Sequence, residues 1–198
     1  MQDGYLKTDK VIDAFDRVNR VEFVPKALEL QANADVALPI GFGQTISQPL
    51  VVAFMLELLD VQKGQRVLDV GSGSGWTTTL LADIVGQNGK VVAVELIEEL
   101  CEFGKSNVDK FGFVRDGIVE FHNINGSQGF PEKAPYDRIL VSAATVDSIP
   151  HALKDQLANG GKMVIPVGNS IVYLEKESVD KFNKEEFPGF TFVPMVME

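Results

Sequence analysis

Apolar positions along the chain follow the helical period near the N-terminus and then fall into short, nearly continuous runs. Val11, Ile12 and Phe15 recur at helical spacing behind Thr8, a residue type that caps helices. The glycine-interrupted stretch Pro39-Ile40-Gly41-Phe42-Gly43-Gln44 reads as a loop, after which Val51, Phe54, Met55, Leu58 and Leu59 return to helical spacing. Strands are expected at Arg66 to Val70, Lys90 to Val94, Ile118 to His122, Arg138 to Ser142 and Lys162 to Pro166. Helical segments separate most of them, Ile97 to Phe111 among these. This alternation predicts an α/β fold whose mostly parallel sheet carries helices on both faces. Ser170 to Glu175 and Phe190 to Pro194, joined by the polar stretch Lys176 to Gly189, are expected to close the sheet as a last pair of strands.

Composition sets bounds on this picture. With 198 residues and 45% hydrophobic content, the chain can bury one full core. We therefore expect a single domain over 1–198, with an N-terminal helical segment and loop over 1–60 and the sheet core with closing strands over 61–198. No apolar run approaches the roughly 20 residues of a membrane span, and Met1 to Tyr5 lack a basic segment followed by an apolar one. A cytoplasmic location follows as the expectation, and the single cysteine, Cys101, is read as a packing residue in a reducing compartment. A net charge of −10, from 18 basic against 28 acidic residues, and the absence of a basic cluster argue against nucleic acid as partner. The acidic run Glu95 to Glu102 is read as a solvated helix face. His122 and His151 have no ligand partners at metal spacing, so no metal is expected.

The candidate chemistry begins at Val67-Leu68-Asp69-Val70-Gly71-Ser72-Gly73-Ser74-Gly75-Trp76, which joins a strand to its helix through three alternating glycines. Glycine lets backbone approach a ligand closely, and a helix N-terminus offers free N–H groups. Such a turn suits a nucleoside-type cofactor at the edge of a Rossmann-like, doubly wound sheet. A dinucleotide pattern, G-x-G-x-x-G/A, would put its third small residue where Trp76 stands. With Asp69 in front of it, the spacing resembles motif I of the class I methyltransferases, which bind S-adenosyl-L-methionine (AdoMet). The next strand ends in Glu95, placed to accept hydrogen bonds from both ribose hydroxyls. Asp69, Gly71, Ser72, Gly73, Gly75 and Glu95 are thus candidate cofactor residues, a plain strand-to-helix turn being the alternative for the glycines alone.

A second segment, Leu38-Pro39-Ile40-Gly41-Phe42-Gly43-Gln44-Thr45-Ile46-Ser47-Gln48-Pro49, has no task in generic AdoMet binding. It closely resembles the signature loop of the protein-L-isoaspartate O-methyltransferases. The likeness extends to Arg20-Val21-Glu22-Phe23-Val24-Pro25 before it and to Tyr136-Asp137-Arg138-Ile139-Leu140-Val141-Ser142-Ala143-Ala144 after it. It continues through Gln156 to Gly168 and Phe192 to Met195, so it covers almost the whole chain. Membership would imply a repair enzyme that methylates the freed α-carboxylate of isoaspartyl residues in damaged proteins and peptides. The ester then collapses to a succinimide, whose hydrolysis returns some normal aspartate. An acceptor carboxylate, with an ordinary pKa of about 3.5 to 4, is already ionised at neutral pH, so no general base is required.

The resemblance also marks residues. Ser47 would be catalytic, orienting the substrate carboxylate or helping to close the loop; its place before Pro49 and an apolar helical pattern equally fits a helix N-cap. Thr45 and Ile46 would line the cofactor side and Gln44 the substrate side. Asn125-Gly126 would lie against the adenine, where most family members carry Asp-Gly, and the pair also suits a tight turn. Ser142, Ala143 and Ala144 would face the reacting groups or simply pack a strand end. Many members of that family continue beyond this point and use the tail near the cofactor, whereas this sequence stops at Glu198, which puts contacts from such a tail in doubt. A monomer is expected. Two other readings remain open at this point: a methyltransferase of the same fold with another acceptor, and an AdoMet-binding module without turnover.

Overall fold

The computed structural model describes residues 6–197. A seven-stranded sheet forms its centre, in the order β5 (Val119–Asn123), β4 (Lys90–Glu95), β3 (Arg66–Val70), β6 (Tyr136–Val141), β7 (Leu157–Val167), β8 (Ser170–Ser178), β9 (Lys181–Pro188). The first five strands in that order run parallel, and β8 and β9 add on antiparallel. Neighbouring residues on each strand face opposite sides, so Val67, Val91, Ala93, Leu140 and Val164 join one apolar cluster and Leu68, Val92, Val94, Ile139 and Met163 the other. Being apolar on both faces, the central strands read in sequence as continuous runs.

The two faces are covered unequally. Helices α2 (Pro49–Leu59), α3 (Trp76–Val85) and α4 (Glu98–Asp109) bury Leu56, Leu59, Leu80, Leu81, Leu100 and Val108 in the first cluster, and α1 (Asp9–Arg17) packs there through Val11 and Ala14. The other face is closed by the five-residue α5 (His151–Asp155), through Leu153, together with Tyr136, Ile149 and Leu157. Cys101 is buried on α4, where burial raises the pKa of its thiol, as a packing residue requires.

Several local expectations are corrected. The 39–44 loop is part of an antiparallel hairpin, β1 (Leu38–Gly41) with β2 (Gln44–Ile46), turned by Gly41, Phe42 and Gly43 at positive φ. Thr8 stands at the N-cap of α1 but its side chain makes no cap bond; the Glu57 carboxylate instead accepts the Lys7 and Thr8 N–H groups at 2.7 and 2.9 Å. The N-cap of α2 is Gln48 rather than Ser47, and the Asp35 carboxylate accepts the Leu50 N–H at 2.9 Å. The last strand is Lys181–Pro188, inside the stretch expected to be a connection, while Phe190 to Pro194 form no strand. Phe190 stacks on Phe54 of α2 at 5.5 Å, and Pro194 makes an isolated bridge with Ala144.

Candidate active site

The chain leaves β3 towards β4 on one side and, having formed β5, returns to β6 on the other. The connections beyond β3 and β6 therefore diverge, which opens a crevice at their carboxyl ends, where open α/β sheets hold ligands. A cavity occupies that crevice. Its floor is the turn Gly71 to Ser74 after β3, and its walls are Glu95, Leu96 and Ile97 after β4, Asn125 to Ser127 after β5, and Ser142 and Ala143 after β6. The β1–β2 hairpin closes one side with Ile40, Gln44, Thr45 and Ile46, followed by Ser47, and Val193 to Val196 close another.

The glycine turn is fixed from both ends. Gly71 and Ser72 donate their N–H groups to the Val94 carbonyl at 2.9 and 3.2 Å, and the Glu95 carboxylate accepts the Gly73 N–H at 2.9 Å and the Ile97 N–H at 3.1 Å. Gly75 does not line the cavity. It has φ +82 at the N-cap of α3, and a Cβ there would lie 2.7 Å from the Gly104 carbonyl oxygen, so its lack of a side chain lets α4 approach the turn. Gly126 has a similar reason: a Cβ would meet Val70 Cγ1 at 2.6 Å, so only glycine brings the turn after β5 onto the ends of β3 and β4. The Asn125 carboxamide oxygen accepts the Ser127 N–H at 2.9 Å as the cap of a short 3-10 turn over Gly126–Gln128.

Asp69 is fully buried and does not line the cavity. Its carboxylate accepts the Thr78 hydroxyl at 2.6 Å and the Thr77 hydroxyl at 3.2 Å, tying β3 to the first turn of α3 beneath the glycines. Burial pushes its pKa up to about 6, against the lowering effect of the two hydroxyls and with a further push from the Glu95 charge. Ala144 is also outside the cavity wall. Its N–H donates to the Val193 carbonyl and its carbonyl accepts the Met195 N–H, both at 2.8 Å, which clamps the C-terminal segment against the site. Val193 to Val196 form part of the cavity wall, so the segment held by this clamp reaches the site.

Thus Gln44, Thr45, Ile46, Ser47, Gly71, Ser72, Gly73, Glu95, Asn125, Gly126, Ser142 and Ala143 are brought to one cavity, while Asp69, Gly75 and Ala144 support it from behind. The sequence reading did not single out Trp76, Leu96, Ile97 or Ser127 as lining residues. Trp76, Leu96 and Ser127 each follow a residue it did name, with Ile97 one position further on, and that adjacency was the available clue. A second cavity is lined by Ala37, Gln48, Val51, Thr191 and Phe192, and it shares Thr45, Ser47, Ser142 and Val193 with the first.

The residues present suit AdoMet. Ser72 Oγ, Ser127 Oγ and Trp76 Nε1 are buried without a hydrogen-bond partner in residues that line the main cavity, so the walls hold polar atoms that a ligand can satisfy. A glycine turn at the switch point and an acidic residue ending the neighbouring strand complete the arrangement. Fold and site together define a class I methyltransferase.

The particular family follows from comparison with known proteins. Residues 1–198 match the family model of protein-L-isoaspartate(D-aspartate) O-methyltransferase. The protein-L-isoaspartate O-methyltransferase of Methanopyrus kandleri is 43% identical over 98% of this chain and 87% of its own length. That of Aeropyrum pernix is 44% identical over 98% and 75%, respectively. Among solved structures, a putative protein-L-isoaspartate O-methyltransferase from Plasmodium falciparum in complex with S-adenosyl-L-homocysteine has a TM-score of 0.87 at 25% identity, covering 98% of this chain and 94% of that one. A second structure described as a protein-L-isoaspartate O-methyltransferase has a TM-score of 0.85 at 30% identity over 94% of this chain, which spans 61% of it. The chain belongs to the protein-L-isoaspartate(D-aspartate) O-methyltransferase family, AdoMet-dependent enzymes of protein repair. No helix among the described residues is long and apolar enough to cross a membrane.

Proposed function

We propose that methyl transfer to the isoaspartyl α-carboxylate takes place where the two cavities meet. The observation that carries this reading is that four residues, Thr45, Ser47, Ser142 and Val193, line both cavities. The first cavity, with the glycine turn and Glu95, has the donor side's chemistry; the second, between the start of α2 and the segment 191–193, would take the isoaspartyl peptide. AdoMet supplies an electrophilic methyl on a sulfonium.

The roles of the chain's own residues follow. Glu95, already holding the Gly73 and Ile97 N–H groups, keeps lone pairs for ribose hydroxyls. Ser72, Ser127 and Asn125 bring polar atoms to the remainder of the nucleoside. Ser47 donates its hydroxyl to the acceptor carboxylate and turns one oxygen towards the methyl, with Gln44, Ser142 and Ala143 beside it. Among the described residues, no His, Lys or Arg lines either cavity. An ionised carboxylate needs no base, and a cation in contact with it would blunt its attack. Ile40, Ile46 and Val193 keep water from the line of transfer, so alignment and desolvation carry the rate.

We further propose that the chain acts as one domain and as a monomer on proteins of the cytoplasm, with no nucleic-acid partner. The charge of −10 supports the last point. Both sheet edges carry charges that oppose edge-to-edge pairing, Glu120 on β5 and Lys181, Lys184, Glu185 and Glu186 on β9. The test is methyl transfer from labelled AdoMet to two peptides that differ only in carrying isoaspartate or normal aspartate, with Ser47→Ala alongside. Transfer to the isoaspartyl peptide alone, reduced in the variant, is expected. Cofactor binding with neither peptide methylated would overturn the reading.

A further inference from the structure

Arg20 is a buried cation that packs against Trp76 of the cavity wall. It begins the 3-10 turn Arg20–Phe23 and is 4% exposed. All five of its hydrogen bonds end on backbone carbonyls: Nη1 donates to Ala32 at 2.8 Å and Ala34 at 3.3 Å, and Nη2 to Val36 at 2.9 Å, Ile46 at 3.4 Å and Ser47 at 3.0 Å. The guanidinium also lies 5.3 Å from the centre of the Trp76 ring, whose indole lines the cofactor cavity. Burial lowers its pKa to about 10, with the Asp35 charge opposing, so it remains a cation at neutral pH.

A buried charge whose hydrogen bonds all go to neutral carbonyls is expensive, and an apolar residue of similar size would fill the space at lower cost. What the guanidinium does that an apolar residue cannot is join three separate pieces of chain. The 32–36 turn, the hairpin exit at Ile46 and Ser47, and the first residue of α3 all meet on its planar fork. Resting on the reading of Ser47 given above, we propose that Arg20 is a positioning residue for methyl transfer, which sets the Ser47 wall at the junction of the two cavities by drawing the Ile46 and Ser47 carbonyls onto a fixed fork.

Two substitutions separate geometry from charge. Arg20→Lys keeps the cation but replaces five fixed donors with three on a flexible stem, and Arg20→Gln removes the charge as well. Positioning predicts that both lower kcat, by about 10- to 100-fold for an ångström-scale displacement of Ser47, with smaller changes in KM for an isoaspartyl peptide. Trp76 is the sole tryptophan, so its emission should shift in both variants, and its titration with S-adenosyl-L-homocysteine reads cofactor affinity separately. Phe23→Leu, a change at a buried neighbour on the same turn, is the stability control: at a matched fall in Tm it should keep kcat.

The decisive comparison is with Ser47→Ala. If Arg20 acts through Ser47, adding Arg20→Lys to Ser47→Ala should change kcat by less than about 3-fold. A wild-type kcat in Arg20→Lys, or two independent effects that multiply, would overturn the proposal. Full activity in Ser47→Ala alone would instead remove the reading of Ser47, and Arg20 would then stand or fall on its own effect on kcat.

Discussion

The Glu95 carboxylate accepts the Gly73 N–H at 2.9 Å, so the acidic end of β4 and the glycine turn after β3 form one hydrogen-bonded unit. The second oxygen takes the Ile97 N–H at 3.1 Å, which fixes the carboxylate plane across the cavity wall. Glu95→Gln should therefore do two kinds of harm. It removes the charge that strengthens hydrogen bonds to ribose hydroxyls, and it turns an NH2 group towards a backbone N–H. We expect AdoMet affinity to fall about 10-fold or more, with a smaller change in peptide KM, as read by Trp76 fluorescence and initial rates. Unchanged affinity would remove Glu95 from the cofactor side.

Gly126→Ala tests the close approach between the turn after β5 and the central strands. The added methyl would sit 2.6 Å from Val70 Cγ1 and 3.1 Å from Val94 Cγ2, and both belong to buried, two-sided strands that give little. Overpacking of this kind costs about 1 to 3 kcal/mol. Because the turn also forms one wall of the cavity, AdoMet affinity should fall together with Tm in calorimetric and binding measurements. A variant with wild-type values for both would show that the turn can move away freely.

How far the sequence disclosed this architecture depended on where each residue's partners lie. The span Arg66 to Val70 coincides with β3, because Val67, Leu68 and Val70 are buried on the two faces of the sheet and read as an apolar run interrupted only by Asp69. β9 was hidden for the converse reason: as an edge strand with most side chains exposed it is Lys- and Glu-rich, and only its ladder to β8 defines it. Phe190 drew the expectation of a strand because it is apolar, yet it spends that character on Phe54 of α2. At the site, the turn Gly71 to Gly75 and Glu95 were visible as local spacing. The capping of α2 by Asp35, the clamp of Ala144 on Val193 and the bonds from Arg20 to Ser47 join residues far apart in the chain, and no local pattern encodes them.

Asn125→Asp tests the one departure from the family's Asp-Gly pair. The side chain caps its turn by accepting the Ser127 N–H at 2.9 Å, a task aspartate performs as well as asparagine. Stability should therefore change by less than about 0.5 kcal/mol. A carboxylate is the stronger acceptor towards an adenine amino group, so AdoMet affinity should rise several-fold, measured by fluorescence titration with kcat followed in parallel. Equal affinity in the two proteins would mean that the side chain serves the turn alone.

Asp69 connects the cofactor turn to the pH dependence of stability. Burial raises its pKa from the ordinary 3.8 to about 6, although the Thr78 and Thr77 hydroxyls oppose the shift. Between those two values the folded protein keeps a proton that the unfolded chain has lost. The stability contributed by this group is therefore fully present below the unfolded pKa and is lost as pH rises through the folded one. Asp69→Asn has no proton to lose and still offers a carbonyl oxygen to Thr78. Melting temperatures of the native protein should thus fall relative to the variant as pH is raised from about 4 to 6, and the difference should level off above about 7. Parallel curves would show that Asp69 ionises as readily in the fold as outside it. Above the folded pKa the ionised group strengthens its bond from Thr78, so the same charge that lowers stability holds the first turn of α3 under the glycines.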